Sequence, residues 1–155
     1  MNIPWKVIGE FKYVSVIECA EDLQAKGYKV SEWILDIAEK LEVQQLVYPI
    51  ELYRVNASEL GFNEAYKLKD IYEEFALKGL GTVSPEIAIL TRFLYDEQPN
   101  KEWLRIATPL DSMIDSDGVP HLPKLGKGLG MYFIETYWSY PDAIFHPHNE
   151  FVVSS

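Results

Sequence analysis

Residues 84–107 read SPEIAILTRFLYDEQPNKEWLRIA, and this stretch decides the expected fold because it joins a helix to a strand. Its leading Ser-Pro-Glu supplies an N-cap hydroxyl, a proline for the first helical position and an acid near the positive end of the helix. Apolar residues then recur at three- and four-residue spacing until the turn formers of 96–100. The pattern predicts a helix that starts at Pro85 and a short strand over 103–107.

Polar side chains crowd this helix-turn-strand corner. They are Glu86, Arg92, Asp96, Gln98, Glu102 and Arg105. We interpret this polar cluster first as a hydrogen-bonded ring that holds the corner closed. A ligand cleft is the alternative, since clustered charges also mark functional sites.

Composition limits the classes of function. The chain has 155 residues, 48% of them hydrophobic, which fits one domain over 1–155. With 14 basic and 24 acidic residues the formal charge is −10, which repels phosphate backbones and anionic lipids. We therefore expect no nucleic-acid or membrane partner. No secretory leader or long apolar run is visible, so we expect a cytoplasmic protein, with Cys19 as a small buried hydrophobe.

Upstream of the corner the patterns are mostly helical. Capping residues and apolar spacing predict a helix over about 16–26, a second that Ser31 caps and that buries Trp33, and a third over about 67–78. The β-rich stretch 45–55 is interrupted by Pro49, which predicts an edge strand or a bulged strand.

Downstream of the corner the patterns are mostly those of strands. Further strands are predicted over about 119–122, 130–138 and 150–153, with links rich in Asp, Gly and Pro between them. Helices lead and strands follow. The expected class is α+β, with N-terminal helices followed by a small, mostly antiparallel sheet.

Three short motifs carry no catalytic or metal signature. Residues 115–118 (DSDG) lack the later ligands of a calcium loop and predict a tight turn. Residues 126–130 (GKGLG) match no nucleotide-binding loop and precede a β segment, so we interpret them as a hairpin loop. His146 and His148, with His121 as possible company, match no zinc spacing. We predict neither a metal nor a cofactor.

Aromatic residues concentrate over 132–145, where both faces of a strand would be apolar. One interpretation is a central strand covered on both sides, and the other is an interface with a partner. The candidate interface residues are Tyr132, Tyr137, Trp138, Tyr140 and Phe145.

Several stretches together resemble a family of short uncharacterised bacterial proteins. They are VSVIECAEDLQAKGYKVSEWILDIAEK at 14–40, YRVNASELGF at 53–62, SPE at 84–86, DEQPNKEWLRIA at 96–107 and DSDG at 115–118. Relatives in that family often read Cys-Pro-Ala-Glu-Val where this chain reads Ser84-Pro85-Glu86-Ile87, so the resemblance implies no cysteine chemistry here. It implies one compact domain and adds no reaction.

We expect a small binding or regulatory protein that acts through contact with an unknown protein partner, as a monomer or weak homodimer, and not an enzyme. The alternative is a small hydrolase that uses the Glu86/Arg92/Gln98/Glu102 cluster. In that alternative Glu86 or Glu102 is the general base, and Arg92 or Arg105 clamps an anion.

Overall fold

The structure is a computed structural model that describes residues 3–155. Within that range the helices are α1 (Val16–Ala25), α2 (Glu32–Lys40), α3 (Leu68–Leu77) and α4 (Pro85–Leu90), with 3₁₀ turns at Ala57–Leu60 and Thr91–Leu94. The strands are β1 (Lys6–Ile8), β2 (Lys29–Val30), β3 (Ile50–Asn56), β4 (Tyr66–Lys67), β5 (Trp103–Ile106), β6 (His121–Gly128), β7 (Met131–Trp138), β8 (Ile144–Phe145) and β9 (Glu150–Ser154).

Seven strands form one mixed sheet in the order β1-β3-β9-β5-β6-β7-β2, and β4 pairs with β8 in a separate two-stranded ribbon. The pairs β5–β9 and β2–β7 are parallel, while the other pairs of the large sheet are antiparallel. The α+β class holds, but the sheet is larger than predicted and it is mixed. Short strands also lie between the helices, so the helices do not all precede the strands.

Each face of the sheet carries its own core. On one side, called the α1 face below, α1, α2 and α4 pack against alternate strand residues such as Leu104, Ile106 and Leu125. On the other side, called the α3 face, α3 and the β4–β8 ribbon pack against Val55, Phe151 and other residues of opposite parity. Side chains alternate between the two faces along each strand, so adjacent residues of a strand belong to different cores.

The helix predictions over 16–26 and 67–78 are confirmed by α1 and α3. Ser15 caps α1 by accepting a hydrogen bond from the Glu18 amide, as the capping-box spacing predicts. The Ser31 cap of α2 is confirmed too, but the prediction that Trp33 is buried was wrong, because its side chain is 48% exposed and covers His121.

The helix at Pro85 is confirmed, although it is shorter than the pattern suggested and continues as a 3₁₀ turn. Ser84 does not cap it through its side chain. Its hydroxyl instead donates to the Glu86 carboxylate at 2.8 Å.

Two strand predictions need correction. The stretch at 45–55 is not an edge strand, because β3 starts after Pro49, keeps all its amide donors and lies between β1 and β9. The glycine-rich residues 126–128 belong to β6, and the hairpin turn is confined to Leu129 and Gly130, whose φ angles are 52° and 75°. Gly126 is required in the strand because the Trp103 ring lies where its side chain would be.

None of the helices within residues 3–155 combines the length and apolar character that crossing a bilayer requires.

Candidate functional site

Arg92 is the largest fully buried side chain of residues 3–155, and neutral acceptors surround its guanidinium group. Its Nη1 donates to Gln98 Oε1 at 2.8 Å and to the Phe133 carbonyl at 2.9 Å, and its Nη2 donates to the Tyr95 carbonyl at 2.6 Å. Burial lowers the pKa of Arg92. The side chain therefore ties the corner after α4 to the β6–β7 hairpin, as a structural cross-link would.

Gln98 and Glu102 extend this network to a second arginine. Gln98 Nε2 donates to the carbonyls of Leu125 at 3.0 Å and Glu102 at 3.2 Å. The Glu102 carboxylate accepts from the Tyr95 hydroxyl at 2.6 Å and from Arg54 Nη2 at 3.1 Å.

Arg54, on β3, also donates through Nε to Glu150 at 2.8 Å. Arg54 was not among the predicted members of the polar cluster. In the sequence Arg54 is a single cation between the apolar strand residues Tyr53 and Val55. Because those two residues belong to the α3-face core, strand alternation places Arg54 on the α1 face.

The structure brings three of the six predicted cluster residues together: Arg92, Gln98 and Glu102. Asp96 lies beside them, where its carboxylate accepts from the Tyr28 hydroxyl at 2.6 Å. Two residues belong elsewhere. Glu86 is bound by the Gln44 amide and the Ser84 hydroxyl, and Arg105 points to the opposite face of the sheet.

A cleft of about 400 Å³ lies at the other end of the β6–β7 hairpin, between the start of α2 and the turn at 115–118. Trp33, Asp117 and Trp138 are among its lining residues. His121 and Asp115 form its floor and are almost fully buried. From the sequence, His121 was considered only as a metal ligand, and Asp115 only as a calcium ligand or as the first residue of a tight turn.

The cleft floor contains a chain of hydrogen bonds from a carboxylate through an imidazole to a hydroxyl. His121 Nε2 lies 2.8 Å from Asp115 Oδ2, and Nδ1 lies 2.8 Å from the Thr136 hydroxyl. The hydrogen bond with His121, together with amide hydrogen bonds from Val119 and Asp117, holds the pKa of Asp115 below its usual value. An ionised carboxylate can only accept, so Nε2 carries the proton and, in the neutral imidazole, Nδ1 accepts from Thr136.

The turn at 115–118 is confirmed and serves this arrangement. Asp115 Oδ1 accepts from the amides of Asp117 at 2.8 Å and Val119 at 2.9 Å, while Gly118 takes a φ of 82°. The turn thereby aims the other carboxylate oxygen at His121.

The predicted interface residues divide between surface and core. Trp138, Tyr140 and Tyr137 are exposed, at 56%, 45% and 40% of their surface, and Tyr132 is half-buried with its hydroxyl donating to the Asp96 carbonyl. Phe145 was wrongly assigned to the interface. It is 2% exposed, because β8 turns it into the α3-face core against Tyr66 and Phe151.

The remaining candidates are structural. The rings of His146 and His148 stack on each other, with centroids 5.9 Å apart. Across residues 3–155, no three His, Cys, Asp or Glu side chains converge as metal ligands would. Burial raises the pKa of Cys19 to about 12, which keeps this thiol protonated and unreactive.

Comparison with protein families, with curated proteins and with solved structures finds no match to this chain.

Proposed function

We propose that this is a binding protein that holds an extended segment of a partner protein against the outer edge of β7. The proposal rests on the part of this edge that β2 leaves uncovered. In residues 3–155 the short strand β2 covers β7 only at Phe133 and Ile134, so β7 continues to Trp138 without a neighbour on that side.

The backbone groups at this edge face outward in a regular order. The Ser31 amide donates to the Ile134 carbonyl at 3.0 Å, which shows that Ile134 turns its backbone toward β2. Because this direction alternates along a strand, Thr136 and Trp138 present their amide and carbonyl groups to the same side, beyond the end of β2. An edge with free groups of this kind is a template for a strand from another chain.

The side chains around the edge favour a partner with a basic residue. Trp33 and Trp138 line the adjacent cleft, and aromatic faces attract lysine and arginine side chains. Asp117 adds an exposed carboxylate to the same cleft, and the whole chain carries a formal charge of −10. A lysine or arginine of the added strand would therefore enter the cleft, while the partner's backbone pairs with β7.

The experiment starts from selection of linear peptides from a random display library, followed by titration of the selected peptides in solution. Each peptide is then resynthesised with a single N-methyl group at successive positions. A peptide that pairs as a strand loses binding when every second amide is methylated and keeps it when the intervening amides are methylated. Binding that is insensitive to methylation, or methylation effects without a period of two, would contradict the strand-addition proposal.

Substitutions in the protein test whether the peptide binds at the β7 edge. Trp138→Ala should weaken peptide binding roughly 30-fold, the equivalent of about 2 kcal/mol for an aromatic anchor. Leu77→Ala on α3 is the control, because Leu77 is also an exposed apolar residue but lies on a different element. If the protein forms a concentration-dependent dimer and Trp138→Ala dissociates it, the edge of β7 binds a second copy of the chain instead.

The hydrolase alternative built on Glu86, Arg92, Gln98 and Glu102 has lost support. Three of these residues bond to one another or to the backbone, and Glu86 is 1% exposed and bound by Ser84 and Gln44. Only Arg92 Nε lacks a partner among the buried polar side-chain atoms of these residues, and it lies in a fully buried side chain that a substrate does not reach.

A second candidate is a hydrolase at the cleft floor, which the Asp115–His121–Thr136 chain favours. In this arrangement His121 takes the hydroxyl proton of Thr136 as the Thr136 oxygen attacks the acyl carbon of an ester, and it returns that proton to the departing alcohol as the ester C–O bond breaks. Water then hydrolyses the acyl-threonine, while Asp115 orients the imidazole throughout. Turnover of a chromogenic ester should be lost in Thr136→Val and retained in Thr136→Ser. Equal turnover in wild type and Thr136→Val would exclude this candidate.

A further inference from the structure

Two cations lie side by side on the α3 face of the sheet. Arg105 on β5 and Lys124 on β6 are directly paired in the antiparallel register, so their side chains leave the sheet on the same side. Both are only partly exposed. Like charges in such a pair destabilise a sheet unless something compensates them.

No ion pair or hydrogen bond within residues 3–155 compensates them. Neither side chain has a carboxylate within 4.0 Å, and neither donates a hydrogen bond. Arg105 Nε is buried without an acceptor, and so is the hydroxyl of Tyr66, a residue that is 6% exposed. Glu135 is paired with Lys124 across β6–β7, but the two side chains form no ion pair.

Electrostatics shows that these groups act on one another. Burial and the charge of Arg105 lower the pKa of Lys124, while Glu135 opposes that shift. Burial likewise lowers the pKa of Arg105, and burial raises that of Tyr66 although the charge of Arg105 opposes it. The buried hydroxyl and the two cations therefore form one electropositive neighbourhood in an otherwise acidic chain.

Aromatic rings hold the two cations in place. Lys124 Nζ lies 4.5 Å from the ring centre of Trp103 and 5.6 Å from that of Tyr137. The Arg105 guanidinium lies 5.6 Å from the ring centre of Phe145. These contacts stabilise the cations but use ring faces, so the N–H donors stay free for another group.

We propose that Arg105 and Lys124, with the Tyr66 hydroxyl on the Arg105 side, form a binding site for an oxyanion, either a carboxylate or a phosphate group. Arginine and lysine donors recognise both groups through charge-assisted hydrogen bonds. The exposed parts of Trp103 and Tyr137 would contact the apolar part of the molecule that carries the anion. This site lies on the opposite face from the cleft at Trp33 and is independent of the peptide proposal.

The test titrates inorganic phosphate and benzoate separately, at constant ionic strength balanced with sodium chloride, and follows the melting temperature and the backbone amide NMR signals. At least one probe should bind with saturation and shift the signals of Arg105 and Lys124. Lys124→Gln should weaken that binding about tenfold. Lys78→Gln at the C-cap of α3 removes the same charge from an exposed site and should leave binding unchanged.

The two probes separate the sources of the anion, since preference for phosphate indicates a phosphorylated ligand and preference for benzoate an organic acid. The stability of the variants adds a second readout. Removing an uncompensated cation should leave the melting temperature of the anion-free protein unchanged or raised, while it weakens binding. The absence of saturable binding by either probe would overturn the site, as would unchanged affinity in both Lys124→Gln and Arg105→Gln.

Discussion

Arg92 and Arg105 lie on opposite faces of one sheet, and their surroundings differ in a way that burial alone does not reveal. Arg92 is fully buried, yet its terminal nitrogens donate to carbonyl and amide oxygens of the chain. The Nε of both arginines lacks an acceptor, but Arg105 is less buried, its terminal nitrogens donate to no group of residues 3–155, and its paired residue on β6 is another cation, Lys124. The number of satisfied donors, more than the depth of burial, separates a structural arginine from one that is available to a ligand.

The largest effect should come from Arg92→Met. This substitution leaves the acceptors on Gln98, Tyr95 and Phe133 without their donor, and it leaves a space where the guanidinium lay. We expect a loss of about 3 kcal/mol or more of unfolding free energy. The melting temperature should fall by roughly 10 °C, as measured by calorimetry. An unchanged melting temperature would show that the network does not stabilise the fold.

Asp115→Asn should have the next largest effect, and it should depend on pH. The folded pKa of Asp115 lies below its usual value, so the carboxylate stabilises the fold above the unfolded pKa of about 3.9. That contribution is lost as the pH falls through the lower folded pKa. The variant should melt earlier than wild type at pH 7, and the difference should shrink below pH 4. Melting curves between pH 2 and 7 test this, and a constant difference would contradict it.

Arg105→Met is the matched partner of Arg92→Met and should have the opposite sign. It removes an uncompensated charge and keeps an apolar side chain against Phe145. Replacing such a charge by a hydrophobic residue is neutral or stabilising, here by up to about 1 kcal/mol. A loss of unfolding free energy as large as that of Arg92→Met would contradict the predicted difference between the two arginines.

The smallest effect should come from metal removal. A chelator should leave the circular dichroism spectrum and the melting curve unchanged, because the His146/His148 pair and the DSDG turn offer incomplete ligand sets. Stoichiometric zinc in the purified protein, with a lower melting temperature after chelation, would contradict this expectation.

Local signals predicted the helices well and the sheet poorly. The caps at Ser15 and Ser31 and the three- and four-residue spacing identified α1, α2 and α3, since these signals act within a few residues. The two-residue strands β2, β4 and β8 carry too few residues for a periodic pattern, and partners far away in sequence define them.

The polar cluster was predictable only where its members lie near one another in sequence. Arg92, Gln98 and Glu102 belong to one corner, so their spacing suggested a network that the structure shows. Arg54 and Glu150 join it from β3 and β9, about 96 positions apart, and no local pattern could connect them. Arg105 was misplaced because strand alternation turned it to the α3 face, away from Glu102.

The position of β9 has a consequence for the order in which the fold can form. β9 is the last of the described elements along the chain, yet it lies between β3 and β5 and pairs with both. Until residues 150–154 have left the ribosome, the sheet consists of two separate pieces, β1–β3 and β5–β6–β7–β2, each with an uncovered hydrogen-bonding edge. Joining them requires contacts across about 100 residues of chain, which slows folding. The sheet therefore cannot be completed before β9 is available, and until then the two half-sheets are the species at risk of aggregation.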